Sequence, residues 1–371
     1  MSRFTYSHRD FLTDVRRAKH TDTHTESSPS TFDTLLASGW RDRMRRGVFR
    51  YHLGDLQTRV LPGPASMVAQ LNVQRGIERR KPQEIQSIKQ PYNANQFNFN
   101  KVCSEEVLFE MTRDEMTRDE MPAERSAASP GGSGPELQRV MVLVNVSPLE
   151  FGHCLFVPEP SRCLPQALTL SAIQTGIESV LLSSDPGFRV GFNSLGAFAS
   201  VNHLHLHGYY LKRELLLETV PVEPLVPEKG FYRLTHLPRG FLFYTEPSDL
   251  DRIARVVFQV TETLVNGDVA HNLFLTRGCP PSDGQKDETQ QASRRGVRIA
   301  LWPRKSSFGA KEETAFNVAL CELAGHLPFK VQQDYECMTE NDIKDIIQRY
   351  LLPDEDFIPL EKQLVADLID L

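Results

Sequence analysis

The chain has 371 residues, of which 40% are hydrophobic and 24% are charged, proportions that are usual for a globular enzyme. Its formal net charge of -6 argues against a polyanionic partner, so we expect neither nucleic acid nor an acidic membrane surface to bind. No stretch approaches the roughly 18 to 20 apolar residues of a membrane span, and the first residues contain no apolar run suited to a signal peptide.

The six cysteines are dispersed along the chain, and no two of them form a CxxC pair. No combination of Cys and His has the spacing of a zinc site either. The sequence therefore predicts reduced thiols and a cytoplasmic location.

Polar segments divide the chain. We expect a partly flexible N-terminal segment over 1–44, a flexible insertion at about 111–137 and a flexible loop at about 279–295. The insertion contains the tandem repeat "MTRDE MTRDE", which is far too short to be a solenoid unit. From residue 45 on, we expect two halves, 45–220 with the insertion and 221–371 with the loop.

The first half has a clear order of elements. Apolar runs predict strands at 139–146 and 152–158, and apolar residues at helical spacing predict an amphipathic helix within 164–185. Further strands are predicted at 188–193 and 201–211.

A second segment has the same order. It predicts a strand at 241–245, a helix with Ser248 as N-cap and an apolar stripe to Leu264, and strands at 271–277 and 296–304. Strand, helix, strand, strand therefore occurs twice. We predict an α+β fold of two similar halves, with mostly antiparallel sheets and packed helices.

Three histidines alternate with leucines near the end of the first half. On a strand, His203, His205 and His207 would share one face, about 6.6 Å apart, while Leu204 and Leu206 would face the core. Three interpretations remain open: a solvated polar face, a zinc site, and nucleophilic catalysis. A neutral imidazole attacks phosphorus when an acceptor holds the proton on its other nitrogen.

The loop before the histidines favours a phosphate ligand. Asn193 and Ser200 offer hydrogen-bond donors, and Gly196 lets backbone N–H groups approach a ligand closely. Together with the histidine run, this loop resembles the histidine triad superfamily of nucleotide hydrolases and transferases. The stretch "NVSPLEFGHCLFVP" at 145–158 resembles a second motif of that superfamily. Duplicated halves, only the first of which carries the histidines, point to its galactose-1-phosphate uridylyltransferase branch.

Within that branch the chain is similar to the GDP-hexose phosphorylases. The similarity extends over roughly 45–350 and includes "QLNVQRGIERRKP", "FNFNKV", "HLHLHGYYL" and "HNLFLTRG". The plant enzymes typically carry Gln where this chain has His207, which favours the animal enzymes that act on GDP-D-glucose. Such enzymes need no metal or cofactor, and the uridylyltransferases suggest a homodimer by analogy.

The resemblance implies roles for the histidines. His205 would attack the α-phosphorus of GDP-D-glucose and form a guanylyl-histidine, releasing glucose 1-phosphate. Inorganic phosphate would then release GDP. His203 and His207 would position the imidazole and the phosphate oxygens, with Asn193, Gly196 and Ser200 contacting the phosphates.

Several residues outside the histidine run are weaker candidates for the site. Arg75, in the basic stretch 75–81, either attracts phosphates or lies in a solvated turn, with Lys305 and Lys311 as weaker cationic candidates. His153 is interpreted as a strand histidine bonded to the backbone. The Phe residues of "FNFN" and "RGFLFYT" form either core or a surface for guanine.

The alternative functions are a hydrolase or nucleotidyltransferase acting on another nucleotide sugar, a non-catalytic nucleotide binder, and a zinc enzyme.

Overall fold

The structure is a computed structural model, and it describes residues 2–13, 15, 28–80, 82–114, 139–236, 238–282, 294–308 and 315–370. The strands are β1 (Arg3–Tyr6), β2 (Gln57–Val60), β3 (Val68–Leu71), β4 (Val107–Arg113), β5 (Arg139–Val144), β6 (Cys154–Pro158), β7 (Phe188–Asn193), β8 (Leu206–Tyr210), β9 (Val222–Val226), β10 (Phe231–Leu234), β11 (Gly240–Thr245), β12 (Ala270–Gly278), β13 (Gly296–Arg304) and β14 (His326–Phe329). The helices are α1 (Thr31–Arg45), α2 (Val73–Glu78), α3 (Leu170–Leu182), α4 (Leu250–Asn266), α5 (Leu320–Leu323), α6 (Gln332–Cys337), α7 (Glu340–Gln348) and α8 (Asp354–Ile369).

Eleven strands form one continuous sheet. Their order is β1-β4-β5-β6-β8-β7-β12-β13-β11-β10-β9, and every pairing except β1 with β4 is antiparallel. The six inner strands, from β6 to β11, are arranged symmetrically about the neighbouring pair β7 and β12, where Asn193 lies opposite Asn272. The predicted repeat is therefore present as β6-α3-β7-β8 and β11-α4-β12-β13. The α+β fold with mostly antiparallel sheet is confirmed.

Both faces of the central strands are covered. Leu273 and Leu275 of β12 pack in the same core as α3 and α4, whereas Phe274 between them packs in the core on the opposite face. That second core includes residues of β3 and β14, two strands of the small sheet β14-β3-β2. Strands buried on both faces read as continuous apolar runs, which is why β12 and β13 were predictable nearly residue for residue.

The histidine strand is shorter than predicted. β8 begins at Leu206, so only His207 of the three histidines lies in a strand. The N–H of Leu204 donates to the carbonyl oxygen of Leu164 at 2.9 Å, which holds the preceding segment on a loop instead of on a neighbouring strand. The expectation that Leu204 and Leu206 face the core is correct, since both are buried in the core beside α3.

Other boundaries also differ. Asp249, and not Ser248, is the N-cap of α4, because a short 3₁₀ turn precedes the helix. Residues 111–113 continue β4, and the rest of the predicted insertion, from 115 on, lies outside the described residues. Most of the predicted loop at 279–295 does so too. Among the helices that are described, none has both the length and the apolar composition for crossing a bilayer.

Candidate active site

His205 is held in the tautomer that a nucleophile requires. Its Nδ1 lies 2.8 Å from the carbonyl oxygen of His203, which can only accept, so Nδ1 carries the proton. The lone pair is therefore on Nε2, and the ring lines a cleft. Burial lowers the pKa of His205 to about 4, so the imidazole is neutral at pH 7.

Gln166 positions the backbone of the same residue. The N–H of His205 donates to Gln166 Oε1 at 2.9 Å, and Gln166 Nε2 donates to the carbonyl oxygen of His205 at 3.1 Å. Gln166 Nε2 also donates to the carbonyl oxygen of Asn193 at 3.0 Å. Gln166 thus replaces the strand pairing that His205 lacks. The sequence offered no sign of this role, because Gln166 lies in a loop 39 positions away.

His153 and His207 form a second hydrogen-bonded pair. The N–H of Leu149 donates to His153 Nδ1 at 2.8 Å, so the His153 proton is on Nε2. That Nε2 lies 3.1 Å from His207 Nδ1, which must then accept, leaving a proton on His207 Nε2. Burial lowers the pKa of both rings well below the ordinary value, with repulsion from neighbouring histidines and from Arg75 as further causes. His207 is therefore a neutral donor on the cleft wall, and His153 does more than bond to the backbone.

His203 has a different place from the one predicted. Its Nδ1 accepts from the N–H of Phe99 at 3.1 Å, and its ring stacks on the Phe99 ring with centroids 5.5 Å apart. Phe99 also contacts His205, at 5.0 Å between centroids. The cleft is lined by His205 and His207 but not by His203. The three histidines therefore do not form one row along the cleft, because the chain is not a strand at His203.

The predicted phosphate-binding residues are only partly brought together. Asn193 and Ser200 line the cleft beside His205. Asn193 Oδ1 accepts from Asn272 Nδ2 at 2.6 Å and from the N–H of Leu320 at 3.0 Å, so the Asn193 side chain also joins the two halves. Gly196 is not on the cleft wall; its left-handed backbone lies against the ring of Phe308.

A group of cations lines the cleft on the His153 side. Arg75, whose guanidinium donates to the carbonyl oxygen of Ser147, lies there with Arg79 and Lys330. Burial and the neighbouring positive charges lower the pKa of Arg79 and of Lys330. Glu322 lies near them, and burial raises the pKa of its carboxyl. Within the described residues, none of the three cations has a carboxylate within 4.0 Å, which is the arrangement of an anion site.

The described residues support neither the weaker cationic candidates nor the zinc interpretation. Lys305 is exposed and away from the cleft wall, and Lys311 lies outside the described residues. Across the described ranges, no group of three or more His, Cys, Asp or Glu side chains is arranged to hold a metal ion. The three histidines of the run thus do not converge as zinc ligands.

Comparison with protein-family models identifies two adjacent domains. Residues 31–209 match the model of the GDPGP1-like N-terminal domain, and residues 217–370 match that of the GDPGP1-like C-terminal domain. The chain belongs to the GDPGP1-like family. The family's domain junction lies between β8 and β9, so the histidine run is in its N-terminal domain.

Three named proteins have sequences similar to that of this chain. GDP-D-glucose phosphorylase 1 of Danio rerio is 52% identical over 98% of this chain and 98% of its own length. The Homo sapiens protein of the same name is 49% identical over 91% of this chain and 84% of its own. GDP-L-galactose phosphorylase 2 of Arabidopsis thaliana is 29% identical, covering 90% and 76% respectively. The predicted resemblance to GDP-hexose phosphorylases is confirmed.

A solved structure has a similar fold. The yeast Ap4A phosphorylase Apa2 in complex with AMP superimposes with a TM-score of 0.55 at 13% identity, covering 87% of this chain and 97% of the yeast chain. At this identity the similarity concerns the fold alone. The two-domain α+β arrangement of the GDPGP1-like chain thus has an experimental counterpart.

Proposed function

We propose that this protein catalyses the phosphorolysis of GDP-D-glucose to GDP and glucose 1-phosphate through a guanylyl-histidine at His205. The observation that carries the proposal is the 2.8 Å hydrogen bond from His205 Nδ1 to the carbonyl oxygen of His203, which leaves Nε2 unprotonated at the cleft. The names of relatives about 50% identical support GDP-D-glucose as substrate.

The first step forms the phosphorus–nitrogen bond. Nε2 of His205 attacks the α-phosphorus, and the bond from that phosphorus to the bridging oxygen breaks. Glucose 1-phosphate leaves with the bonding electrons, and its phosphate is a weak base that needs little general-acid help. The positive charge that develops on the imidazole is stabilised by the carbonyl oxygen of His203, which stays bonded to Nδ1–H.

In the second step, inorganic phosphate takes the guanylyl group from His205. An oxygen of inorganic phosphate attacks the α-phosphorus, the phosphorus–nitrogen bond breaks, and its electrons return to Nε2. GDP leaves, and His205 is neutral again. The incoming phosphate occupies the place of the departed β-phosphate, so one anion site serves both steps. Arg75, Arg79 and Lys330 supply the charge for that site, while His207 and Ser200 donate to phosphate oxygens.

Product analysis tests this function. The protein is incubated with GDP-D-glucose, GDP-mannose, ADP-glucose and UDP-glucose, each with and without phosphate. We expect GDP and glucose 1-phosphate to accumulate from GDP-D-glucose only when phosphate is present. Equal turnover without phosphate, with GMP as product, would instead identify a hydrolase.

The protein's location and assembly are part of the same proposal. A cytoplasmic location agrees with six cysteines that are all unpaired. A homodimer is expected by analogy with the uridylyltransferases. Light scattering after size-exclusion chromatography measures the assembly, and a mass of one chain would contradict the dimer.

A further inference from the structure

The end of the cleft beyond His205 is apolar. Phe99 packs on His205, and Leu143, Leu155 and Val201 form one buried cluster with Phe99. All of these residues line the cleft, as do Phe97 and Val102, which pack against the cluster. The group of Arg75, Arg79 and Lys330 lies at the opposite end. The rings follow the order Phe99, His205, His207, His153, and Arg75 is beside His153. A nucleotide bonded to His205 would therefore place its base at the apolar end.

One carboxylate lies at that end. Of the two glutamates on the described cleft walls, Glu322 is among the cations and Glu106 is beside the apolar cluster. Glu106 is half-buried, and Arg80 lies close enough for the Glu106 charge to affect its pKa. The Arg80 guanidinium in turn lies 3.4 Å from the centroid of the Phe97 ring.

The position of the Glu106 carboxylate is fixed by its own turn. The N–H of Cys103 donates to Glu106 Oε1 at 3.1 Å, and the N–H of Glu106 donates to the carbonyl oxygen of Cys103 at 3.0 Å. Oε2 has no hydrogen-bond partner among the described residues. A fixed carboxylate with one uncommitted oxygen at the apolar end of the cleft is suited to bind a ligand that offers N–H donors.

Guanine is the common base with two adjacent donors on one edge, N1–H and the 2-amino group. Adenine presents an acceptor at N1, which a carboxylate repels, and hypoxanthine lacks the 2-amino group. We infer that Glu106 selects guanine by accepting hydrogen bonds from N1–H and the 2-amino group of a base bound at the apolar end. The Arg80 guanidinium, which pairs well with guanine O6, adds a donor on the same side. The inference deepens the proposed function, since it assumes that a guanine nucleotide is the ligand.

Equilibrium binding tests this assignment without depending on turnover. Dissociation constants of GDP, IDP and ADP are measured by calorimetry for the wild type, Glu106→Gln and the control Glu105→Gln. Glu105 is the adjacent, exposed glutamate, and it pairs with Arg46 outside the cleft at 2.6 Å. We expect the wild type to bind GDP roughly 10- to 100-fold tighter than IDP and ADP, the range of a hydrogen bond to a charged group.

The variants should distinguish a loss of base selectivity from a general structural effect on nucleotide binding. In Glu106→Gln the preference for GDP over ADP should fall to within about threefold, because the amide offers adenine N1 a donor. Glu105→Gln should keep the wild-type preference. Equal weakening of all three ligands, or an unchanged GDP-to-ADP ratio, would overturn the inference. If Glu106→Gln does not fold, Glu106→Asp, which withdraws the carboxylate by one methylene, carries the same test. Retained base selectivity without any nucleotide–enzyme adduct would refute the proposed reaction but not this assignment.

Discussion

Gln166 bonds both backbone polar groups of His205, accepting from its N–H at 2.9 Å and donating to its carbonyl oxygen at 3.1 Å. One side chain therefore fixes the backbone of the residue that we propose as the nucleophile. A strand would have supplied the same two bonds through its neighbour. The loop geometry brings the carbonyl oxygen of His203 to within 2.8 Å of His205 Nδ1, two residues further on.

Replacing Gln166 should slow the chemistry and destabilise the fold. Gln166→Leu leaves the His205 N–H and the carbonyl oxygens of His205 and Asn193 unpaired. At about 1 to 3 kcal/mol for each buried unpaired group, we expect a loss of at least about 2 kcal/mol in the free energy of unfolding. We also expect adduct formation to slow by roughly 10-fold or more, because the imidazole is no longer held in line with the phosphorus.

Gln174→Leu is the matched control. Gln174 donates to Asp251 at 2.8 Å between α3 and α4, away from the cleft. Single-turnover labelling and urea unfolding are measured for both variants. A Gln166→Leu protein with the wild-type rate of adduct formation would show that Gln166 has no positioning role.

The pH dependence of adduct formation reports on His205. Its folded pKa of about 4 lies below the ordinary value near 6.5, so the reactive neutral form is already complete at pH 7. In single-turnover experiments without phosphate, the rate should be flat from pH 8 to about 5.5. It should fall below pH 5 with a midpoint near 4. A midpoint near 6.5 would contradict the account.

The same shift affects stability. Because burial depresses the folded pKa, the unfolded chain binds more protons between pH 6.5 and 4, and stability falls as the pH drops through that range. Circular dichroism at each pH separates unfolding from the protonation of His205. The exposed His236 provides a control, since His236→Asn should leave both profiles unchanged.

His207 should tolerate an amide better than loss of its side chain. His207 Nε2 carries the proton that faces the cleft, and Gln can supply an N–H donor there. We expect His207→Gln to form the adduct within about 10-fold of the wild-type rate, and His207→Ala to be slower still by a similar factor. Rapid-quench labelling measures both. Equal rates for the Gln and Ala variants would rule out His207 as a phosphate donor.

Removing a cation should weaken phosphate binding. Lys330→Met takes away one charge of the anion site, and we expect the KM for phosphate to rise by about 10-fold, in line with loss of a charge-assisted bond. The β-phosphate uses the same site, so the KM for GDP-D-glucose should rise as well. Steady-state kinetics with each substrate varied measure both effects.

Lys305→Met is the control for that variant. Lys305 is an exposed lysine outside the cleft, so its loss should change neither KM. A KM for phosphate that rises equally in both variants would indicate a general effect of net charge. An unchanged KM in Lys330→Met would remove Lys330 from the anion site.

The repeated strand–helix order and the place of His205 and His207 beside Asn193 and Ser200 of the preceding loop were predictable because their signals are local. Apolar runs determined β12 and β13, and alternation placed Leu204 and Leu206 in the core. The start of β8 at Leu206 was not predictable, because the hydrogen bond from the Leu204 N–H to the carbonyl oxygen of Leu164 overrides the alternating pattern. The short strands β2, β3 and β14 were missed as well, since strands of four residues give little periodicity.

Apart from the histidines, the cleft is lined by residues that are distant from one another in the sequence. Lys330 and Glu322 come from the C-terminal domain, and no motif in their vicinity indicates phosphate. Arg75 was a candidate only because of its basic neighbours. In the sequence, Glu106 belongs to an ordinary pair of acidic residues. Only the structure shows that it lines the same cleft as Phe99 and Leu143, which makes it a candidate for base recognition. Sequence therefore indicated the proposed nucleophile, and the fold showed which residues surround it.

Intact-mass spectrometry of rapidly quenched reactions detects the proposed guanylyl-histidine itself. Enzyme mixed with GDP-D-glucose in the absence of phosphate should become heavier by one GMP moiety, and peptide mapping should place the addition on His205. Added phosphate should remove it and release GDP. Turnover without any such species, or unchanged turnover in His205→Asn, would contradict covalent catalysis by this residue.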